Sequence, residues 1–194
     1  MIESYAERRN CADQRISDYI WKSGFIPVPS PNDPEIAEEL FKEIAPVAVV
    51  LTGGNSLVKY GGNAPERDET DKRLIEICIR EKVPLYGFCR GMQSILDYYG
   101  NDLVNVSGHV AVRHIVSGLQ PQVEVNSYHN QACKCLSSAE LEVVMTSEDG
   151  VIEMIRHKTL PIIGTMWHPE REEPFKCEDI ELLRRLINEC KREQ

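Results

Sequence analysis

Strand and helix patterns alternate along the first half of the chain, with short loops between them. The run VAVVL at 47–51 is continuous and rich in β-branched residues, which is typical of a buried parallel strand. An amphipathic helix is predicted at 66–82, a second apolar strand at 84–88 and a second helix at 91–100. Such alternation over short loops favours a parallel sheet covered on both faces. The sequence therefore predicts an α/β fold with three layers: a mostly parallel central sheet with helices on both faces.

Further elements are predicted on either side of this alternation. Apolar spacing and turn signals give helices and strands that complete the layers. We find no internal repeat, low-complexity tract or linker, so residues 1–194 are expected to form a single domain. The additional helices are predicted at 12–22, 34–44 and 179–192, and the additional strands at 25–29, 122–128, 141–147, 150–157 and 161–168.

Charge and cysteine content disfavour several functional classes. A formal net charge of −9 disfavours nucleic-acid binding, which needs clustered cations. The seven cysteines, the lack of a secretory signal and the lack of a membrane-spanning run predict reduced thiols, the cytoplasm and no membrane partner. Cys133 and Cys135 are close in sequence, but no further ligands at metal-site spacing accompany them. We interpret them as ordinary thiols and expect no metal site.

A cysteine follows a buried strand directly in the stretch PLYGFCRGMQ at 84–93. Cys89 stands between that strand and the next helix, which is the position of the nucleophile in a strand–turn–helix elbow. The helix N-terminus favours a thiolate there, and the backbone N–H of Arg90 can stabilise an oxyanion. Gly91 lets the backbone pass close by. Taken alone, a cysteine at a strand end is more often a small buried residue.

A histidine ends another apolar strand in MWHPE at 166–170. His168 should reach the same sheet edge as Cys89, and Glu170 can turn back to orient its imidazole. A His-Pro-Glu sequence alone is an ordinary turn, but the joint placement favours a Cys–His–Glu triad. Gly54, in TGGN after the strand at 47–51, is expected to supply the second oxyanion N–H. The alternative for Gly54 is a simple Gly-Gly turn.

Together, GFCRGMQ, TGGN and WHPE resemble the class I glutamine amidotransferase family, and most of all its γ-glutamyl hydrolase branch. The pair Arg67–Asp68, the arginine after the cysteine and VNSYHNQA at 125–132 also fit that branch. The resemblance covers about residues 20–175. It implies the flavodoxin-like fold of this family, and no metal or organic cofactor.

The resemblance also implies roles for individual residues. Cys89 would attack the γ-carbonyl of a glutamyl group and form a thioester, with His168 moving protons and Glu170 orienting His168. The backbone N–H groups of Gly54 and Arg90 would stabilise the oxyanion. The residues expected to contact the glutamyl group are Gln93, Tyr128, His129 and Asn130. The alternative for Gln93 is an exposed position on its helix.

Two segments depart from the family pattern. The chain begins MIESYAERR, without the apolar strand that usually precedes the first helix. The segment SGHVAVRHIV at 107–116 carries Arg113 and His114, which with Arg171 suggest contact with a pyrophosphate. A solvated cationic loop is the alternative. The glycine-rich stretch 58–67 is a candidate lid over the substrate.

Three functions are compatible with this sequence. The first is a free-standing γ-glutamyl amide hydrolase that acts on γ-glutamyl-γ-aminobutyrate or, in surface-polysaccharide synthesis, on γ-glutamyl-CDP-amidate. The second is a glutaminase subunit that delivers ammonia to a partner synthetase. The third is a non-catalytic protein on the same fold, which the complete triad disfavours. The partner expected in the first case is a small γ-glutamyl substrate, with a homodimer as one possible assembly.

Overall fold

The computed structural model describes residues 2–4 and 7–192. Short 3₁₀ turns, at Val58–Tyr60 and Pro169–Arg171, supplement the helices and strands. The helices are α1 (Gln14–Lys22), α2 (Pro34–Ile44), α3 (Pro65–Glu81), α4 (Arg90–Tyr98) and α5 (Cys177–Arg192). The strands are β1 (Ile2–Ser4), β2 (Glu7–Arg9), β3 (Val49–Leu51), β4 (Leu85–Phe88), β5 (Val104–Asn105), β6 (Val110–Gly118), β7 (Val123–Tyr128), β8 (Gln131–Ala132), β9 (Leu141–Ser147), β10 (Ile152–His157) and β11 (Ile162–Thr165).

The central sheet has seven strands among the described residues, in the order β3-β4-β11-β10-β9-β6-β7. Strands β3, β4 and β11 are parallel neighbours, and the remaining pairings are antiparallel. Because β10 and β6 alone run against the others, five of the seven strands point the same way. The predicted α/β class with a mostly parallel central sheet is therefore confirmed. The pairs β1–β2 and β5–β8 form separate two-stranded sheets.

Helices cover both faces of the sheet, as the buried parallel strands require. Successive residues of β4 enter different cores: Leu85 packs with α3 and α4 residues, whereas Tyr86 and Phe88 pack with α1 and α5 residues. All four residues of β4 are buried. The carboxyl end of this fully covered strand is where Cys89 lies, so the core fixes the position of the candidate nucleophile.

Two predicted elements differ from the structure. Residues 25–29 form no strand, and Ile26 and Val28 are exposed. The prolines at 27 and 29 explain this, because neither offers an N–H group for strand pairing. The segment 107–116 is not a solvated loop: most of it forms β6, which pairs with β7 and β9 in the central sheet.

Helix α4 approaches the sheet closely because glycines occupy the contact, Gly87 in β4 and Gly91 in the first turn of α4. A Cβ atom on Gly91 would lie 2.0 Å from the carbonyl oxygen of Leu51 in β3. A Cβ atom on Gly87 would lie 2.6 Å from the backbone of Gly91. Only glycines permit this approach, which places the N-terminus of α4 at the carboxyl edge of β3 and β4.

Among the helices in the described part of the chain, none combines the length and the apolar character that a membrane crossing needs.

Candidate active site

Cys89 occupies a strained turn between β4 and α4. Its φ of 50° and ψ of −108° lie in a region that side-chain-bearing residues rarely adopt. The backbone N–H of Cys89 donates to Thr165 O on β11, at 2.7 Å, which holds the turn against the neighbouring strand. The residue is only 5% exposed. This is the geometry of a nucleophile elbow, with the thiol at the carboxyl edge of the parallel strands.

His168 and Glu170 lie at the same edge, just after β11. His168 Nδ1 donates to Glu170 Oε1 at 2.6 Å, and both side chains are buried. Burial lowers the pKa of His168, but hydrogen bonding and negative charge from Cys89 and Glu170 outweigh it and raise the pKa to about 9. The imidazole is therefore suited to carry a proton near neutral pH, next to the cysteine sulfur.

Asn126 holds the backbone of His168 in place. The side-chain amide of Asn126 donates to His168 O at 2.8 Å and accepts from His168 N at 2.9 Å. The same amide also donates to Glu172 Oε1 at 2.9 Å. The sequence alone predicts no role for Asn126. Because it bonds backbone on both sides of one residue, it fixes the position of the imidazole.

Arg15 of α1 clamps the turn that carries Glu170. Its guanidinium donates to Glu170 O at 2.7 Å and to Glu172 O at 2.6 Å. Arg15 precedes Glu170 by 155 residues, so no local pattern in the sequence could have indicated this contact. The turn is thereby tied to a helix on one face of the sheet.

The glycine loop after β3 fits between Arg67 and the candidate general base. Arg67 Nη2 donates to Thr52 O at 2.7 Å and to Gly53 O at 2.9 Å. A Cβ atom on Gly53 would lie 2.7 Å from His168 Cε1, and one on Gly54 would lie 2.2 Å from Arg67 Nη1. Gly54 also has a φ of 147°. Side chains are therefore excluded here, and the backbone lies beside the imidazole, where an oxyanion donor is needed.

Arg90 combines a backbone position and a buried side chain. Its N–H belongs to the first turn of α4, whose N–H groups have no partner within the helix. Its fully buried guanidinium forms ion pairs with Asp68 and Asp71 of α3. Ser94 Oγ donates to Asp71 Oδ2 at 2.9 Å. From the sequence, Arg90 is predicted to act only through its backbone N–H. The ion pairs that its buried side chain forms beneath the elbow were not predicted.

Tyr128 lies against His168 of the candidate triad. Its ring meets that of His168 edge-on, with centroids 5.6 Å apart, and the Arg171 guanidinium lies 4.2 Å above the Tyr128 ring. Gln93 is buried rather than exposed, and its Nε2 donates to Gln131 O at 2.9 Å. The alternative of an exposed helix glutamine is therefore wrong.

The other expected substrate-side residues have different surroundings. Asn130 is exposed, while Arg113 forms ion pairs with Glu124 at 2.8 Å and Glu172 at 3.1 Å. His114 and His129 turn away from the surface toward the buried carboxylate of Glu153.

Glu153 is fully buried and lies next to the segment that carries His168. Burial raises the pKa of this carboxyl, but the imidazoles of His114 and His129 outweigh it, and the net pKa lies below its ordinary value. The backbone N–H of Met166 donates to Glu153 O at 2.8 Å, two residues before His168.

Comparisons with known proteins agree on the family. The family model described as "Glutamine amidotransferase class-I" matches residues 11–183. The γ-glutamyl-CDP-amidate hydrolase of Campylobacter jejuni is 36% identical over 173 residues, which cover 88% of this chain and 85% of that protein. The γ-glutamyl-γ-aminobutyrate hydrolase of Escherichia coli O157:H7 is 27% identical over 190 residues, covering 76% of this chain and 74% of that protein.

A solved structure shows the same fold. The crystal structure of a Thermoplasma acidophilum protein described as "putative gmp synthase subunit a protein" matches with a TM-score of 0.74 and 22% sequence identity. The match covers 92% of this chain and 87% of that one. At this identity the likeness concerns the fold alone.

Proposed function

This chain belongs to the class I glutamine amidotransferase family, and we propose that it hydrolyses a γ-glutamyl amide through a thioester on Cys89. The observation that carries the proposal is the joint placement of three groups at one sheet edge. Cys89 lies in a strained elbow, and His168 donates to Glu170 at 2.6 Å beside it. A thiol, an imidazole and an orienting carboxylate in this order are the parts that acyl transfer needs.

In the first half of the proposed reaction, the Cys89 sulfur attacks the γ-carbonyl carbon of the bound glutamyl group. The carbonyl oxygen becomes an oxyanion, which the backbone N–H groups of Gly54 and Arg90 stabilise. The His168 imidazolium then gives its proton to the leaving nitrogen as the C–N bond breaks. The products of this half are the free amine and a γ-glutamyl thioester on Cys89.

In the second half, water hydrolyses the thioester. His168, now neutral, accepts a proton from the water as its oxygen attacks the carbonyl carbon. The C–S bond breaks, glutamate leaves and the sulfur returns with the imidazolium beside it. Glu170 keeps the Nδ1 proton in place in both halves, so that Nε2 faces the chemistry.

We propose the amine of CDP-amidate as the leaving group, ahead of γ-aminobutyrate, because the relative that acts on the former has the higher identity, 36% against 27%. The ion pairs of Arg113 change which cation we expect to contact the pyrophosphate. Arg113 already pairs with Glu124 and Glu172. Arg171 stacks on Tyr128 beside His168 and has a longer ion-pair contact, 3.7 Å to Glu170, so it is the cation best placed to meet an anionic leaving group.

Glutamate release from a substrate panel tests this function. The purified protein is offered L-glutamine, γ-glutamyl-γ-aminobutyrate, γ-glutamyl dipeptides and γ-glutamyl-CDP-amidate. We expect rapid release from γ-glutamyl-CDP-amidate and slow release from the others. Slow release from glutamine alone, accelerated by a second protein, would instead identify a glutaminase subunit. No release from any member of the panel would contradict the proposed function.

The alkaline limb of the pH–rate profile should report the proton on His168. Because Cys89 and Glu170 raise the pKa of His168 to about 9 against burial, the imidazolium persists up to that pH. We expect kcat/KM to fall as pH rises through about 9, since the leaving amine then lacks its proton donor. Glu170→Gln removes one of the charges that raise this pKa, so its alkaline limb should shift to lower pH. A limb that stays in place in Glu170→Gln would show that it belongs to another group.

A further inference from the structure

Three histidines converge on one buried carboxylate near the triad. The atoms His109 Nδ1, His114 Nε2 and His129 Nε2 lie 3.5, 3.3 and 3.4 Å from Glu153 Oε1. The ring centroid of His109 lies 4.9 Å from that of His114 and 4.8 Å from that of His129. We call these four residues the histidine cluster. The proposed mechanism uses none of them.

The polar atoms that face one another inside the histidine cluster are buried without hydrogen bonds. The side chains of His109, His114, His129 and Glu153 are 5%, 18%, 1% and 0% exposed. Among the described residues, no partner with hydrogen-bond geometry reaches the three nitrogens that face Glu153, or either carboxylate oxygen. Buried polar groups without partners are costly, so a cluster of this size implies a bound cation or shared protons.

Three spacings in the histidine cluster are close to those between metal ligands. A tetrahedral zinc site with bonds of about 2.0–2.1 Å separates neighbouring ligand atoms by about 3.3–3.4 Å. The three nitrogen-to-oxygen distances in the histidine cluster fall at or next to this value. The ligand atoms of His109, His114 and Glu153 lie within 4.8 Å of one another, in a group that does not include His129. We propose that the histidine cluster binds one Zn²⁺ ion.

A second carboxylate orients one of the proposed ligands. His109 Nε2 lies 3.2 Å from Asp149 Oδ2, which leaves Nδ1 free to offer its lone pair toward Glu153. Ser147 Oγ donates to Asp149 Oδ1 at 2.6 Å and holds this carboxylate. An imidazole that ligates a metal through one nitrogen commonly donates its other N–H to such a carboxylate.

The backbone fixes the strands that carry the ligands. His109 O accepts from His129 N at 2.9 Å and from Ser127 Oγ at 2.7 Å, so the ends of β6 and β7 are joined. Glu153 lies in β10, in the same sheet. The ligands therefore come from segments that the sheet already holds in place, which reduces the cost of forming the site.

Three imidazoles and one carboxylate favour zinc among the common divalent ions, since Mg²⁺ and Ca²⁺ prefer oxygen ligands. If His129 joins His109, His114 and Glu153, four protein ligands leave no open position on a tetrahedral ion, which is typical of a structural site. The ion would join β10 to the end of β7, where Asn126 and Tyr128 contact His168. It would thus stabilise the positioning of the general base without taking part in the reaction.

Metal content and cobalt spectra of the full-length protein test this proposal. We expect metal-free protein to take up one Zn²⁺ per chain and to unfold at a higher temperature when it is loaded. Loading with Co²⁺ should give the intense visible bands of a tetrahedral site, without the near-ultraviolet charge-transfer band of a thiolate ligand. Since these measurements use the wild-type chain, they remain informative even if a variant fails to fold.

Substitutions then assign the ligands. His114→Ala should weaken Zn²⁺ binding at least about 100-fold, and Asp149→Asn by about 10–100-fold, as expected for an outer partner of a ligand. The matched control is His157→Gln, because His157 is the one histidine of the five in the sequence outside both the triad and the cluster. This control should bind as the wild type does.

Three results would overturn the zinc site. The first is wild-type protein that binds less than one ion per chain at micromolar zinc. The second is a cobalt spectrum with a thiolate band, which would move the ligands to cysteines. The third is His114→Ala that binds as tightly as His157→Gln. In each case the histidine cluster would be a proton-sharing network instead.

Discussion

Replacing Cys89 with serine is expected to lower glutamate release by about 10⁴-fold or more, because the variant loses the nucleophile of the first half of the proposed reaction. A serine hydroxyl at this position is a far weaker nucleophile than a thiol beside an imidazolium. The side chain differs by one atom, so the elbow should keep its geometry and the protein its melting temperature. The measurement is steady-state release from the best substrate of the panel, with circular dichroism to verify folding.

Cys135→Ser is the matched control for this substitution. Cys135 is an exposed free cysteine away from the triad segments, so its replacement should leave the rate within about twofold of the wild type. If Cys89→Ser also stayed within tenfold of the wild type, Cys89 would have no role as the nucleophile.

Asp71→Ala is expected to destabilise the protein by about 3–5 kcal/mol, because it leaves the buried charge of Arg90 without its most buried partner. Arg90 is 0% exposed and Asp71 is 5% exposed, and Asp71 also accepts from Ser94. Asp68, the second partner of Arg90, has a side chain that is 26% exposed, and it pairs with the other terminal nitrogen of the guanidinium. Equilibrium unfolding in urea measures the change in the free energy of unfolding.

An exposed ion pair supplies the comparison. Asp97 accepts from Lys59 at 2.8 Å at the surface, where both side chains are partly exposed. Asp97→Ala should therefore cost less than about 1 kcal/mol. If both variants lost the same small amount, the buried pairs of Arg90 would not support the elbow as described.

Local sequence patterns predicted the bounds of an element correctly where its apolar residues have a clear helical or strand periodicity. Helix α2 has the predicted bounds of 34–44, and β9 has the predicted bounds of 141–147. The strand predicted at 25–29 is absent. Its apolar residues favour a strand, but the prolines at 27 and 29 have no backbone N–H to pair with a neighbouring strand. Strand β6 was missed because its apolar residues do not follow the alternation of its faces: Ile115 is exposed, whereas the polar His114 lies on the inner face with the buried Val116.

The placement of Cys89 and His168, two of the candidate catalytic residues, at one edge of the sheet could be inferred for a physical reason. Parallel strands end at the same edge of a sheet, so residues after β4 and β11 had to lie near one another. The contacts that orient these residues could not be inferred, because they join segments far apart in sequence. Arg15 reaches Glu170 from α1, and Asn126 reaches His168 from β7.

The histidine cluster could not be predicted from the sequence either. Its members 109, 114, 129 and 153 have no metal-site spacing in the sequence, and only the register of β6, β7 and β10 brings them together. No metal site is predicted from the sequence, and His114 and His129 are predicted to contact the substrate. The structure turns both toward Glu153.

The most direct test of the central claim is to identify the residue that a thiol-directed γ-glutamyl analogue labels. The wild-type protein is treated with the analogue, digested and analysed by peptide mass spectrometry, with and without excess γ-glutamyl substrate. We predict one label per chain, on Cys89, which the substrate prevents and which Glu170→Gln acquires more slowly. Label spread over the other cysteines, or label on Cys89 that the substrate does not prevent, would contradict the thioester mechanism.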